Sequence, residues 1–274
     1  MLIIFFAVLG TIIGSFLNVV IYRFNTGMGI GGRSKCFSCN TTLKSRDLIP
    51  VLSFLYSGGK CRYCGSKVSW QYISVEILTA ILFAGVYIVN SNLLLVSPTS
   101  FIVSMIYGLV VMSLLVVITV YDLKHKIIPD AFSYAFAIIT FIALFVGYNA
   151  LGEISVVLPS FLSMATGVIL AFPFYLLWLI SEGRWMGLGD AKLALGIGWF
   201  LGLSQGASAI IFGFWIGAVF SVCLLLVDKY FRKKSHKHSF SMKSEIPFAP
   251  FLIAGLLLSY FFGYDIFVSV GYLI

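Results

Sequence analysis

The sequence predicts an all-α polytopic membrane protein with about eight transmembrane helices and a small cytoplasmic zinc-knuckle loop. Three observations support this fold class. Hydrophobic residues make up 60% of the 274 residues and charged residues only 10%, whereas a soluble domain has about 25% charged residues. Several apolar stretches reach the roughly 20 residues that cross a bilayer. Two Cys-x-x-Cys pairs lie close together in one polar segment.

Eight apolar stretches are predicted to span the membrane. In chain order they are residues 2–22, 71–96, 101–121, 131–149, 154–180, 191–204, 207–227 and 247–270. The sixth is short and contains glycine, as expected of a half-helix or of a segment that lies partly in the interface. Pro173 lies inside the fifth and predicts a kink, which neighbouring helices in a membrane bundle tolerate. The first stretch lacks a preceding basic segment and a small-residue cleavage site, so it is predicted to be a transmembrane helix rather than a signal peptide.

The positive charges alternate between the predicted loops. Of the 18 Lys and Arg residues, eight lie at 23–67, two at 124–126, two at 184–192 and six at 229–243. These segments follow the first, third, fifth and seventh stretches, so the positive-inside rule places them in the cytoplasm and both termini outside. The net charge is +8. We interpret the basic residues as topology signals and as contacts to membrane lipid, and we expect no nucleic-acid partner.

This topology predicts three parts of the chain. Residues 1–22 form the first transmembrane helix, and residues 23–70 form a cytoplasmic zinc-knuckle domain. Residues 71–274 form the helical membrane core.

The cysteines of the polar segment predict a metal site. Cys36 and Cys39 form one pair and Cys61 and Cys64 the other, with 21 residues between the pairs. Two such turns are typical of tetrahedral zinc binding, and four protein ligands indicate a structural role. Disulfides and free thiols are the alternatives, although disulfides are rare in a reducing cytoplasm. Cys223 lies within an apolar stretch and is expected to pack in a helix.

Two aspartates are candidates for chemistry because they lie at the same predicted membrane depth. Asp122 ends the third apolar stretch, and Asp190 precedes the sixth within G-L-G-D-A-K. Neighbouring carboxylates can share one proton, so that one activates a water while the other donates to a scissile carbonyl. Gly187 and Gly189 lack a Cβ atom, so a substrate backbone could approach Asp190 closely. The structural alternative is a helix N-cap at Asp190 paired with Lys192, and a charge anchor at Asp122.

Three other carboxylates have structural interpretations. Asp47 lies among basic residues of a loop and is expected to be solvated. Glu76 lies near the start of the second stretch, where a carboxylate stabilises a helix N-terminus. Asp130 follows Pro129 and is predicted to be an N-cap.

Seven motifs in chain order resemble the prepilin peptidases, or type IV leader peptidases, which are similar to other G-x-G-D intramembrane aspartyl proteases. Besides the paired Cys-x-x-Cys, they are G-S-F-L-N-V-V-I-Y-R (14–23), D-L-I-P-V-L-S (47–53), G-G-K-C-R (58–62), D-L-K-H-K-I-I-P-D (122–130), G-L-G-D-A-K (187–192) and P-F-A-P (247–250). The resemblance implies a membrane aspartyl endopeptidase with Asp122 and Asp190 as the catalytic pair. Its active-site loop would contain Gly187, Gly189 and Lys192.

The resemblance also implies the substrates and a second activity. Family substrates are prepilins or pseudopilins of type IV pili, type II secretion or DNA-uptake machines. Their basic leaders are removed at the cytoplasmic face of the bacterial cytoplasmic membrane, commonly after a Gly. Many members also methylate the new N-terminal amine with S-adenosylmethionine, and the zinc-knuckle loop is associated with these members. Gly59 and Lys60 in G-G-K-C-R are the matching candidates for methyl transfer.

Two other functions are consistent with the residues. The first is an ion or proton-coupled transporter, whose aspartates relay protons and whose zinc loop is regulatory. The second is a non-catalytic scaffold that only binds partners. The location of both aspartates at one predicted membrane face, without an evident inverted repeat of two halves, favours the protease.

Overall fold

The computed structural model covers most of the chain and is mainly helical. It describes residues 1–27, 29, 31–149, 152–231 and 246–271. The helices are α1 (Leu2–Arg23), α2 (Leu52–Tyr56), α3 (Trp70–Asn90), α4 (Leu93–Val96), α5 (Pro98–His125), α6 (Asp130–Ala143), α7 (Phe161–Ser181), α8 (Leu188–Leu201), α9 (Leu203–Phe231), α10 (Ala249–Phe262) and α11 (Ile266–Gly271). A 3-10 turn (Ser45–Asp47) precedes α2, and two short strands, β1 (Val146–Tyr148) and β2 (Ile154–Val156), pair between α6 and α7. The predicted helical fold class is confirmed.

Five of the described helices are long and apolar enough to cross a membrane. They are α1, α3, α5, α7 and residues Leu203–Val227 of α9. Helices α6, α8 and α10 have 14 residues each. Such a helix is about 21 Å long, less than the roughly 30 Å of a hydrocarbon core. The described residues therefore support five candidate spans, and the predicted count of about eight is not confirmed.

The predicted boundaries of several stretches are wrong. Helix α6 ends at Ala143 and α7 begins at Phe161, because β1 and β2 occupy part of the segment between them. The strands are rich in apolar and β-branched residues, so their composition resembles the end of a membrane span. The second predicted stretch is interrupted after Asn90, where α3 ends. The eighth is interrupted at Gly263, whose φ of +65° ends α10.

The chain divides into two compact units. The first unit contains residues 1–120 and 148–154, and the second contains the rest of the chain. The three-part division predicted from the sequence, with boundaries after residues 22 and 70, stays a prediction.

Helices α1 and α3 pack closely in the first unit because glycines line their crossing. A Cβ atom on Gly10 would lie 2.6 Å from Ala80 Cα, and one on Gly14 would lie 2.8 Å from Glu76 Cα. Glycines four residues apart allow such a close approach of membrane helices. The crossing brings α3 and the polar segment between α1 and α3 into one unit.

Helix α8 lies at the centre of the second unit, in contact with α6, α7, α9 and α10. Its apolar side chains Leu193, Ala194 and Ile197 are fully buried. This packing surrounds the helix with other helices and determines where its first turn, which contains Asp190, is held.

Candidate active site and cysteine cluster

The four cysteines of the polar segment converge in space. Their Sγ atoms all lie within 4.8 Å of one another, and the Cys36 and Cys64 sulfurs are 3.9 Å apart. Tetrahedral zinc with Zn–S bonds of about 2.3 Å places its sulfurs roughly 3.8 Å apart. All four cysteines are free, so the disulfide alternative is wrong. The cluster could hold a metal ion.

Each cysteine pair lies in its own turn, and the two turns have the same pattern of backbone hydrogen bonds. In each turn the amide of the first cysteine donates to the carbonyl five residues later, and the amide four residues later donates back to the cysteine carbonyl. The bonds are Cys36 N to Thr41 O (3.0 Å) and Asn40 N to Cys36 O (2.9 Å), then Cys61 N to Ser66 O (2.8 Å) and Gly65 N to Cys61 O (2.9 Å). We call these the first and second knuckles. The fifth residue of each turn, Asn40 or Gly65, has a positive φ, which Asn and Gly tolerate better than other residues.

Hydrogen bonds in the cluster favour the thiolate form of two cysteines. Bonds from the backbone amides of Cys39 and Ser38, and then from the Ser66 hydroxyl, lower the pKa of Cys36 to about 6. The Ser66 hydroxyl and amide also lower the pKa of Cys64. Because the thiolate is the metal-binding form of cysteine, these contacts suit a metal site.

Asp47 is a structural residue of the cysteine module, the name used here for residues 31–69 between α1 and α3. Its side chain is only 7% exposed, and its Oδ1 atom lies 3.4 Å from Arg62 Nε. Its Oδ2 atom accepts hydrogen bonds from the Lys44 amide at 3.1 Å and the Tyr63 hydroxyl at 2.9 Å. The prediction that Asp47 is solvated is wrong, because it links the 3-10 turn to the second knuckle.

Glu76 supports the backbone at the start of α2. It is buried, and its Oε2 atom accepts a 2.7 Å hydrogen bond from the Val51 amide. Val51 has a φ of +60°, which is unusual for a β-branched residue. The interpretation of Glu76 as a helix N-terminal charge is wrong, because it lies beyond the first turn of α3. No local sequence signal pairs Glu76 with a residue 25 positions earlier.

The two candidate catalytic aspartates come together in the second unit. Asp122 lies in the last turn of α5 and Asp190 in the first turn of α8, and both side chains are buried. They are close enough for the charge of Asp122 to act on Asp190. The backbone amide of Ala249, the first residue of α10, approaches the Asp122 carboxylate. The other oxygen, Asp122 Oδ2, has no hydrogen-bond partner among the described residues.

Lys192 pairs with a different carboxylate from the one expected. Its Nζ atom lies 2.6 Å from Asp130 Oδ1 and 4.7 Å from the centre of the Tyr134 ring. The alternative of an Asp190 N-cap paired with Lys192 is therefore wrong. The N-cap of α8 is Gly187, and Asp190 is already inside the helix.

Asp130 is likewise not an N-cap. Pro129 occupies that position, and Asp130 is the first residue of α6. Its carboxylate instead joins α6 to α8 through the ion pair with Lys192.

The two glycines before Asp190 differ in their surroundings. A Cβ atom on Gly189 would lie 2.8 Å from Ile128 Cβ, so this glycine admits a neighbouring side chain of the protein. The expectation that Gly189 leaves room for a substrate backbone is therefore wrong. A Cβ atom on Gly187 would lie 3.9 Å from Asp190 Oδ2, with no closer contact among the described residues outside the chain neighbours. Gly187 is the position that leaves Asp190 approachable.

The predicted methyl-transfer residues lie in the cysteine module. Gly59 and Lys60 line a cleft of about 800 Å³ between α2 and the start of α3. The cleft belongs to the first unit, as do the four cysteines.

Together these features define a helical membrane protein with a four-cysteine cluster and two neighbouring buried carboxylates. Residues 8–90 match the family model of the bacterial peptidase A24 N-terminal domain, and residues 109–222 match that of the type IV leader peptidase family. The chain belongs to the type IV leader peptidase family. The resemblance seen in its motifs is confirmed, and the transporter alternative is not supported.

Several characterised proteins are similar to the chain. It is 30% identical over 257 residues to the prepilin leader peptidase/N-methyltransferase of Bacillus subtilis (strain 168), a match that covers 93% of this chain and 92% of that protein. It is 32% identical over 220 residues to the type 4 prepilin-like proteins leader peptide-processing enzyme of Escherichia coli O78:H11 (strain H10407 / ETEC), covering 70% and 74%. It is 28% identical over 215 residues to the prepilin leader peptidase/N-methyltransferase of Vibrio cholerae serotype O1 (strain ATCC 39315 / El Tor Inaba N16961), covering 73% and 78%. No solved structure gives a significant match.

Proposed function

We propose that this protein is a membrane aspartyl endopeptidase that removes basic leaders from prepilins or pseudopilins at the cytoplasmic membrane face. The observation that carries the proposal is the juxtaposition of Asp122 and Asp190, two buried carboxylates that belong to the same unit and come from different helices. Family membership and the names of the relatives support the same activity.

The proposed chemistry needs one proton shared by the two carboxylates. The ionised partner takes a proton from a water as that water attacks the scissile carbonyl, and the protonated partner donates to the carbonyl oxygen. The free Oδ2 atom of Asp122 suits such a role, because it lacks a hydrogen-bond partner among the described residues that would compete for a proton or a water. The space beside Gly187 would allow the substrate backbone to approach the Asp190 carboxylate.

Cleavage of a co-expressed prepilin tests the proposal. We expect Asp122→Asn and Asp190→Asn each to abolish the shift in pilin size on an immunoblot, while the chain remains in the membrane fraction. Glu182→Gln is the matched control, because Glu182 is an exposed carboxylate of the same unit. Full cleavage by either aspartate variant contradicts the proposed mechanism.

We also propose that the cysteine cluster binds one structural zinc ion, since its four thiols leave no ligand position for chemistry. Elemental analysis of the purified chain should give about one zinc per protein, as expected for one tetrahedral site. Cys36→Ser should lose the metal. Cys223→Ser is the matched control, because this cysteine lies in α9, outside the cluster. Unchanged zinc content in Cys36→Ser contradicts the site.

The relatives named as N-methyltransferases support a second activity, methylation of the new N-terminal amine. S-adenosylmethionine supplies the methyl group in that reaction. Mass spectrometry of the mature pilin should show the mass of one added methyl group. A mature pilin that is cleaved but carries no added methyl group contradicts this second activity alone.

We further propose a topology with eight crossings and both termini outside the cytoplasm of a bacterial inner membrane. The alternation of basic segments supports it. In this arrangement the short helices α6, α8 and α10 also cross. A reporter that is active only outside the cytoplasm should be active when fused after residue 92 or 202 and inactive after residue 126 or 186. An inactive fusion after residue 202 contradicts the crossing of α8.

A further inference from the structure

Residues 48–56 form an apolar segment inside the otherwise polar cysteine module. The segment reads L-I-P-V-L-S-F-L-Y, carries no charge and contains α2. Six of its nine residues are Leu, Ile, Val or Phe. Nine residues are too few for a helix that crosses a bilayer. The segment therefore needs another environment that covers its apolar side chains.

The apolar face of α2 points out of the protein. Leu52, Leu55 and Tyr56 are spaced three and four residues apart, so they share one face of the helix. All three are exposed, Leu55 to 61% and Tyr56 to 82%. Ser53 and Phe54, on the other side, are partly covered. A surface helix of a protein in water buries its apolar face, so an outward apolar face indicates contact with a partner or a membrane.

Helix α2 lies beside the first two turns of α3, a candidate membrane span. The Val51 amide before α2 donates a 2.7 Å hydrogen bond to Glu76, which is six residues, or about 9 Å along the axis, beyond Trp70. The rings of Phe54 and Trp70 are 5.2 Å apart, so α2 leads back toward the start of α3.

The length of α3 sets the depth of this contact. Its 21 residues extend about 31 Å, close to the roughly 30 Å of a hydrocarbon core. A segment beside its first two turns therefore lies at the boundary between lipid headgroups and acyl chains. Trp70, the first residue of α3, is 73% exposed, and tryptophan is enriched at this boundary.

Two lysines lie next to the apolar face. Leu55, Lys60, Lys67 and Trp70 all line the cleft of about 800 Å³ between α2 and the start of α3. Lys60 and Lys67 face each other across an antiparallel bridge, and like charges in this position repel. Neither lysine has an ion-pair partner among the described residues. A phosphate group between them would offset the repulsion.

The first knuckle shows that the cysteine turn itself does not need two lysines. The equivalent bridge there joins Lys35 to Thr42, although both turns make the same backbone hydrogen bonds. The lysine at position 67 is thus not required by the backbone of the turn. It is the knuckle beside the apolar segment that carries the additional positive charge.

We propose that residues 48–56 and the cleft beside them bind an anionic phospholipid of the membrane that α3 crosses. The acyl chains contact the outward face of α2, and the headgroup phosphate lies between Lys60 and Lys67. The inference rests on the proposed topology only for the side of the membrane, which is cytoplasmic. Lipid bound in this way holds the cysteine module against the membrane surface.

Photo-crosslinking of the full chain in nanodiscs tests the lipid contact. The nanodiscs contain equal amounts of phosphatidylglycerol and phosphatidylcholine, and p-benzoylphenylalanine replaces Leu55 or, as an independent second site, Leu52. Mass spectrometry should find lipid adducts at both positions, with phosphatidylglycerol in excess. Ser45 is the matched control position, because it is exposed in the same module between Lys44 and Arg46. It should give few adducts.

Lysine variants test the preference for anionic lipid. A basic residue near an anionic surface favours the anionic lipid by about fivefold. Lys67→Thr, which copies the first knuckle, should therefore reduce the phosphatidylglycerol excess at position 55 by about this factor. Lys67→Thr combined with Lys60→Gln should remove the excess. Lys35→Gln is the matched control and should leave it unchanged, and the thermal midpoint verifies that each variant is folded.

The outcomes separate this inference from the proposed function. Adducts at positions 52 and 55 that contain only protein would show that a protein covers the face, and would overturn the inference. Equal yields of the two lipids in the parent chain, or an excess that survives loss of both lysines, would overturn the anionic site. The experiment contains no prepilin. A chain that gives the expected lipid adducts but does not cleave a prepilin therefore supports this inference while the proposed function fails.

Discussion

The cysteine module and the aspartate site are assembled in different ways. Each cysteine pair is positioned by a turn of six residues, Cys36–Thr41 or Cys61–Ser66, whose hydrogen bonds lie within the turn. Asp122 and Asp190, in contrast, are 68 residues apart and lie on two different helices, so they meet only in the folded chain. Local bonds prepare the module for a metal, whereas long-range packing creates the aspartate site. Damage to each region should therefore have different consequences.

The largest expected effect is the loss of proteolysis on removal of the carboxylates. General acid–base catalysis contributes about 10²–10⁴-fold, so Asp122→Asn should lower the rate of prepilin cleavage by at least this factor. Because the two residues act as one unit, the double variant with Asp190→Asn should be no slower than either single variant. Initial rates on a purified prepilin measure both effects. Multiplicative losses would show that the residues act independently.

Metal removal should have the next largest effect, and only on the cysteine module. Structural zinc contributes roughly 10–16 kcal/mol in zinc-finger peptides, so chelation should expose residues 31–69 to proteolysis. The far-UV helix signal should stay nearly constant, because the long helices do not depend on the thiols. Limited proteolysis with circular dichroism measures the contrast. A large loss of helix on chelation would contradict the independence of the two regions.

Substitution of the glycines before Asp190 should separate stability from activity. Gly189→Val places atoms where Ile128 lies, with a Cβ–Cβ distance of 2.8 Å, and overpacking of this kind costs about 1–3 kcal/mol. Ile128→Ala should restore part of the lost stability. Gly187→Ala should instead keep the thermal midpoint and slow cleavage, because its methyl group would face Asp190. Equal thermal midpoints for Gly189→Val and Gly187→Ala would contradict this difference.

The smallest expected effect is a pH dependence of the cysteine module that arises from Asp47. Burial by itself raises the pKa of this carboxyl group, but hydrogen bonds from Lys44 and Tyr63 and the charges of Arg62 and Arg46 hold it below its usual value. The resulting stabilisation is present above the unfolded pKa near 4, and it is lost as pH falls toward the folded pKa.

Asp47→Asn should remove the part of the cysteine module's stability that depends on pH through the Asp47 carboxylate. Protease resistance of the module should be lower than in the parent chain at pH 7. The two proteins should converge as pH falls from about 4 to below the lowered pKa of the folded Asp47, where the parent carboxyl is protonated. A constant difference at all pH values would contradict the contribution of Asp47.

The sequence was informative where structure is local. The apolar run at 2–22 corresponds to α1, and the two-residue spacers predicted the convergence of four thiols. The strands β1 and β2 were missed because their apolar, β-branched residues resemble the ends of membrane spans.

The sequence indicated that Asp122 and Asp190 meet, through their common predicted membrane depth, but two other pairings between distant residues were not predictable from composition or spacing. Lys192 lies two residues from Asp190, yet its partner Asp130 is 62 residues away. Glu76 similarly reaches Val51 only because α3 and the start of α2 meet in the folded chain. These two contacts depend on tertiary packing, and neither the charge pattern nor the spacing of the residues indicated them.

The matching backbones of the two knuckles have a consequence for how this module can change. A chimera in which residues 60–68 are replaced by a copy of residues 35–43 would still present four thiols on the same turns. The two turns make the same backbone hydrogen bonds although their bridge positions carry Lys35 and Thr42 in one and Lys60 and Lys67 in the other. Substitution at these positions can therefore change the side chains beside the cysteines while the turn stays the same. A repeated turn of this kind separates the backbone that presents the thiols from the neighbouring side chains, which are free to differ.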